Sequence, residues 1–315
     1  MPVKKPRLGD LVAVPVDVNR PFTRQAGLAS GLTDKQLQSA EYRRLFQGVY
    51  VHRSVEPSAA LWAEGAGLIT PAGSFAAYQS AARILGGIVP SSPDTHLGTV
   101  SRATCDICQL RLHRYAAPPP LTTVDGLLVT TPGRTLADLA RSLTLLDLVV
   151  FGDSLVHAGA TTPERLREEV AAVRGPRLAR RAAAYVRAGA ESPTESRLRM
   201  LYVLAGLPEP QTQVTVERAG GGSYRIDLGW PQVKVGAEYD GAYHRDDPGQ
   251  AEHDAYRRGE LSGLGWSLSV VTSTGLYAAP ADVLVETWEL LQERGLHVGR
   301  IKSGWQAHFP GRRAA

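Results

Sequence analysis

The sequence predicts an α/β chain of more than one domain. Three observations carry that expectation. The chain has 315 residues, enough to bury more than one core. Residues 21–53 read as two short helices followed by a small hairpin. From residue 191 the order becomes helix, three strands, helix, strand, helix, the rhythm of a mixed sheet covered by helices. Hydrophobic residues make up 43% and charged residues 21%, an ordinary globular balance rather than that of a disordered chain. No stretch approaches the roughly 18 apolar residues of a membrane span. The N-terminus lacks a secretory apolar core, and a cytoplasmic protein without membrane contact is expected.

The elements of the first region, 1–55, follow from local signals. Thr23 can cap a short helix holding Ala26, Leu28 and Ala29, and Gly31 can end it. Thr33 then caps a second helix over 34–42, with Leu37 as its main apolar contact. Residues 43–53 give two short β-prone runs turning at Gly48. Helix, tight turn, helix and hairpin is the order of a winged helix-turn-helix, whose second helix enters the major groove. The region resembles the N-terminal winged helix of AbiEi-like type IV antitoxins. The resemblance rests on Gly31-Leu32-Thr33, Arg44 and Gly48-Val49-Tyr50. It implies DNA as partner, with Lys35, Gln36, Arg43 and Arg44 as contacts. A structural or protein-binding role is the alternative.

A middle α/β region is expected over 56–190. An Ala-rich helix over 74–87 stops at Gly86-Gly87. Residues 95–100 and 109–115 are strand-like, and Pro118–Pro120 make an extended link. Residues 127–143 run from strand into helix through TPGRTLADLA, similar to a signature that accompanies such winged helices. Arg134 and Asp138 stand four residues apart there, the spacing of a structural ion pair. Cys105 and Cys108 form half of a zinc motif with no second half, and a reduced pair in a hairpin is expected. The net charge of +4 is compatible with nucleic acid. The Arg-rich run 174–187 reads as a solvated helix or as a phosphate contact.

In the third region, 191–295, Ser192 or Thr194 caps a helix with Pro193 in its first turn. Strands are expected over 211–217, 223–230 and 233–240, turning at Gly220–Gly222 and at Trp230-Pro231. A helix over 251–265, a strand over 266–272 and a final helix over 280–295 follow, and 296–315 reads as a loosely held tail. Glu238 and Asp240 are two apart, so on a strand they share one face. Like charges so placed repel, and a divalent cation would relieve them.

This region resembles the PD-(D/E)xK nucleases, more narrowly the DUF559 branch related to very-short-patch-repair endonucleases. The matching residues are Ser192 to Glu195, Arg225-Ile226-Asp227, and Glu238-Tyr239-Asp240-Gly241 through His244. Asp254, Arg257, Leu261 and Gly265-Trp266 complete them. The resemblance implies a restriction-endonuclease-like mixed sheet and metal-dependent phosphodiester hydrolysis. Asp227, Glu238 and Asp240 would hold Mg²⁺ or Mn²⁺. Glu195 would orient water, His244 would serve as acid or base, and Arg257 would neutralise phosphate. On its residues alone Arg257 also suits a surface pair with Asp254 or Glu260. Two departures stand out. The superfamily's usual lysine position holds Asp240, and Val270 stands where related chains carry arginine. The class implied is therefore a DNA-binding endonuclease. The alternative is a transcriptional regulator or antitoxin-like protein with an inactive nuclease fold. A toxin or repair protein as partner and an oligomer are compatible with either.

Overall fold

The computed structural model describes residues 15–218, 220–241 and 248–309. The chain forms two compact units, one ending at Leu139 and the other beginning at Ala140. It is mixed α/β throughout, with three separate sheets.

In the first unit, β1 (Phe22–Thr23) pairs with β3 (Val49–His52), which pairs with β2 (Tyr42–Phe46), all antiparallel. Helix α1 (Arg24–Ala29) starts where Thr23 accepts the Ala26 amide at 3.2 Å. Helix α2 (Asp34–Leu37) opens on a capping box, with Thr33 and Gln36 each accepting the other's amide. An Arg24–Asp34 ion pair ties the two helices. The expected helix over 34–42 is cut to a single turn. Tyr42 instead begins β2, opposite His52, with its ring edge-on to Phe22 at 5.9 Å. Burial of that aromatic beside Leu37 and Tyr50 outweighs local helix propensity.

A five-stranded sheet completes this unit in the order β6-β5-β4-β8-β7. Its strands are β4 (Phe75–Ala76), β5 (Thr95–Thr99), β6 (Leu110–Arg114), β7 (Leu121–Val124) and β8 (Leu127–Thr130). Helices α3 (Ala59–Gly67), α4 (Tyr78–Ile84) and α5 (Pro132–Leu139) belong to the same unit. Gly98 has no room for a side chain, because a Cβ there would lie 2.2 Å from the Phe75 ring. The expected Arg134–Asp138 pair forms, yet it is no surface pair. Asp138 is fully buried and also accepts the Tyr115 hydroxyl at 2.5 Å, with Arg134 over the Tyr115 ring.

The second unit holds α6 (Leu145–His157), α7 (Pro163–Ala172), α8 (Arg177–Tyr185) and α9 (Pro193–Ala205). Its sheet runs β12-β11-β10-β9. The strands are β9 (Gln211–Glu217), β10 (Ser223–Trp230), β11 (Val235–Asp240) and β12 (Ser267–Thr272). Only β11 and β12 are parallel. Helices α10 (Pro248–Gly263), α11 (Ser273–Ala278) and α12 (Pro280–Glu293) follow; α11, capped by Thr272, was not expected. The helices over 145–185, read from sequence as part of a middle region, belong here. Arg199 of α9 is wholly buried and binds Asp153 of α6 at 2.8 Å and Glu209 at 3.1 Å. The supposed tail is also integral. Val298, Trp305 and Phe309 are buried, and the Lys302 amide bonds the Ala205 carbonyl at 2.8 Å.

Asp153 also accepts the Arg187 amide at 2.9 Å. Removing its carboxylate would leave the Arg199 cation buried beside Glu209 alone. Asp153→Ala should cost about 3–5 kcal/mol, measured by urea unfolding, whereas breaking the exposed Arg165–Glu169 pair should cost well under about 1 kcal/mol.

Candidate functional site

The acids suggested by the sequence collect where β10 and β11 part. These strands pair at Trp230–Val235, Gly229–Gly236 and Leu228–Ala237. The next facing positions are Asp227 and Glu238. There the Asp227 carboxylate, through Oδ2, accepts the Tyr239 amide at 3.1 Å. The small residues Gly229, Gly236 and Ala237 let the strands lie flat beneath neighbouring side chains; a Cβ on Gly236 would lie 2.6 Å from Leu268. Asp227 is half-buried on a strand whose next three residues are fully buried.

Glu238 is held by Arg257 of α10 through both carboxylate oxygens, one at 2.8 Å. Arg257 also donates to the Arg225 carbonyl at 2.6 Å. Among the described residues it thus pairs with the site carboxylate Glu238; Glu260 lies against Arg218, at 3.9 Å, and the Asp254 side chain is outside the described residues. Asp240 follows on the same face and lines a groove of about 150 Å³ with Glu238, Tyr239, Arg257, Arg258 and Val270. Val270 sits directly beside Glu238 in the parallel register, so the departure from arginine falls at the site wall. His244 lies outside the described residues.

Glu195 reaches the cluster from the first turn of α9, whose N-cap Ser192 accepts its amide at 3.2 Å. Its carboxylate accepts the Glu191 amide at 3.0 Å and the Gln213 side-chain amide at 3.1 Å. Gln213 is a site residue the sequence did not reveal. It stands in the middle of β9 at φ +51, a conformation rare for a residue with a side chain. Its Oε1 is buried with no hydrogen-bond partner among the described residues. No sequence signal marks a positive φ at a glutamine inside a QTQVTVE strand.

Burial raises the Asp227 carboxyl to about 6, with Glu195 and Glu238 adding repulsion, while the Tyr239 amide and Arg257 act against the rise. A part-buried carboxylate with two further carboxylates near it would suit a hard cation. Among the described residues, no three His, Cys, Asp or Glu side chains lie together as ligands. A cation bound through one or two carboxylates and several waters needs no such trio. Asp227 fits that role directly, and Glu238 fits it once Arg257 releases it.

The other expected contacts lie in the first unit. Lys35 and Arg44 are exposed. Gln36 gives its side-chain oxygen to the capping box. Arg43 is half-buried and donates to the Val55 carbonyl at 2.6 Å, so it braces the hairpin rather than facing solvent.

A native carboxyl titrating near 6 against an ordinary 3.8 favours the folded state at low pH and opposes it at high pH. The burden is complete above about 6 and absent below about 3.8, and amounts to roughly 3 kcal/mol at 1.36 kcal/mol per pH unit. Asp227→Asn removes the charge and retains an acceptor for the Tyr239 amide. It should raise the melting temperature at pH 7, and the gain should shrink to nothing as the pH falls toward 4. A gain that is the same at pH 4 and pH 7 would place its origin elsewhere.

No family model matches the chain. Two curated proteins are similar to it: "Uncharacterized protein MT2308" of Mycobacterium tuberculosis strain CDC 1551 / Oshkosh and "Uncharacterized protein Rv2248" of Mycobacterium tuberculosis strain ATCC 25618 / H37Rv. Each is 30% identical over 151 residues, which is 47% of this chain and 56% of the relative. The chain thus spans about half the length of the curated relatives it matches.

Proposed function

We propose that this protein acts on DNA as a metal-dependent phosphodiester hydrolase, with the reaction at the parting of β10 and β11 and a separate DNA contact through the winged helix. The observation that carries the reading is Asp227, held on a strand end against Glu195 and Glu238 with its proton affinity raised to about 6. Neither Glu195 nor Asp227 is neutralised by a direct ion pair among the described residues. When bound, Mg²⁺ or Mn²⁺ would polarise a phosphoryl oxygen and make an attacking water available near neutral pH. The chain's own groups do the rest. Asp227 and Glu238 would hold the cation, and Asp240 borders the groove. Glu195, steadied by Gln213 and the Glu191 amide, orients a water. Arg257 trades the Glu238 carboxylate for a phosphate oxygen as substrate enters.

A second reading, a regulator carrying a dormant nuclease fold, is favoured by the same Arg257–Glu238 pair. In that reading the bidentate bridge is a permanent structural lock on the position a ligand would need.

Two measurements test these readings. In DNA binding, Lys35→Ala with Arg44→Ala should weaken affinity and lower the salt slope by about 2. Arg43→Ala should instead lower the melting temperature, because it strands the Val55 carbonyl. Equal loss of affinity from Arg43→Ala without loss of stability would return Arg43 to the contact surface.

In catalysis, purified protein is incubated with supercoiled plasmid and with single-stranded DNA in Mg²⁺, Mn²⁺ or EDTA. Cleavage should require the metal and disappear in Asp227→Ala and Glu238→Ala while DNA binding persists. Millimolar Mg²⁺ should raise the wild-type melting temperature and do less for Asp227→Asn. Tight binding to DNA with no nicking and no thermal response to metal selects the regulator.

A further inference from the structure

The face of α8 is not used by the proposed reaction, and its charge is unusual. From Arg174 to Arg187 the sequence contains five arginines and no acid, more positive charge than the net +4 of the whole chain. Arg174, Arg177, Arg180 and Arg181 are all exposed. None of the four takes part in an ion pair among the described residues. On neighbouring α7, Glu164 and Glu169 pair with Arg167 and Arg165 of their own helix, and the exposed Glu168 forms no ion pair with any of the four arginines among the described residues.

This arrangement works against the isolated helix. Arg177 and Arg181 are like charges four residues apart, which destabilises a helix by a few tenths of a kcal/mol. Arg177 also occupies the first turn, where the helix dipole disfavours a cation, and no acid stands there. The opposite side of the helix explains why it persists. Ala179, Ala182 and Ala183 are buried, and their small size lets the backbone lie close to its neighbours. Beyond its end, Val186 packs on Gly152 of α6, where a Cβ would come within 2.3 Å of the valine. The guanidiniums are therefore presented from a fixed scaffold. The positive field is felt locally: burial and then Arg181 hold the His308 imidazole below its ordinary value.

We infer that the exposed face of α8, formed by Arg177, Arg180 and Arg181 with Arg174 at its edge, is a docking surface for the sugar–phosphate backbone of double-stranded DNA. This rests on the reading of the chain as DNA-acting, and adds a contact on the hydrolase unit itself. Charge complementarity selects a polyanion, and guanidinium forks suit phosphate oxygens better than a point charge does. A membrane is the weaker partner. The helix is nine residues long with its apolar side already buried, so it has nothing to insert among acyl chains.

The test measures binding of the full chain to a labelled duplex across a salt series. It compares wild type, the triple variant Arg177→Gln/Arg180→Gln/Arg181→Gln, the same three positions changed to Lys, and Lys35→Ala/Arg44→Ala. The Gln variant should bind about tenfold or more weakly at moderate salt, with a slope lower by about 2 to 3, and melt at or slightly above the wild-type temperature. The Lys variant should keep the wild-type slope. If the Gln variant matches wild type while Lys35→Ala/Arg44→Ala loses affinity, the α8 surface is wrong and the winged-helix reading stands. If wild type binds no duplex, both fall. If the Gln variant loses binding to phosphatidylserine vesicles but keeps its affinity for DNA, the surface belongs to lipid and the inference is overturned.

Discussion

Arg199 is the group on which the second unit depends. Its guanidinium is entirely shut off from water, and it joins α9 to Asp153 of α6 and to Glu209 just ahead of β9. Arg187 joins the same network, through its amide to Asp153 and its side chain to Glu209. A buried charge with one partner missing is expensive, so the arrangement resists the loss of any one member. That arrangement has two consequences. One turn before Arg199, α9 delivers Glu195 to the acidic cluster. Arg187, just past α8, fixes the segment that runs from the basic helix to the start of α9. The candidate site and the arginine face therefore share one electrostatic anchor.

The acidic cluster itself is a balance rather than a finished ligand set. Asp227 is raised by burial and by two neighbouring carboxylates, and one backbone amide and one guanidinium restrain the rise. Glu238 meets the same crowding differently, by binding Arg257 with both oxygens. A cation and a phosphate would each serve one side of this balance: the cation takes the carboxylates, and the phosphate takes the released guanidinium. Gln213 fits the same logic. It accepts an unfavourable φ and a buried, unsatisfied oxygen while steadying Glu195. Local strain kept at the edge of a charged site is a feature that functional sites often share.

Much of this was legible in the sequence, for physical reasons. Alternation in SYRIDLGW, a Gly-rich turn and a Trp-Pro turn locate the hairpin that carries Asp227 and Glu238, since period-2 patterns survive folding unchanged. Caps were legible too: Thr23, Thr33 and Ser192 all hold the amides expected of them. What was hidden depended on distant contacts. The second helix of the first unit stops early because Tyr42 finds Phe22 across the sheet. The segment after 296 is part of the core because Trp305 and Phe309 are buried. Arg257 holds Glu238, 19 residues away. No local rule reaches such distances.

The arginine pattern shows where sequence and structure inform each other most. Composition alone leaves RGPRLARRAAAYVR open between a solvated helix and a binding surface. The structure adds that Ala179, Ala182 and Ala183 are buried while Arg174, Arg177, Arg180 and Arg181 are exposed, and that Glu164 and Glu169 of the adjacent helix pair within that helix. A solvated helix selected for stability would place an acid in its first turn and alternate charge along its face. This one does neither, and Arg199 and Gly152 keep the region in place regardless. Stability supplied by the buried network leaves the outer face free to be shaped by a partner, and exposed guanidiniums without ion pairs would suit phosphate.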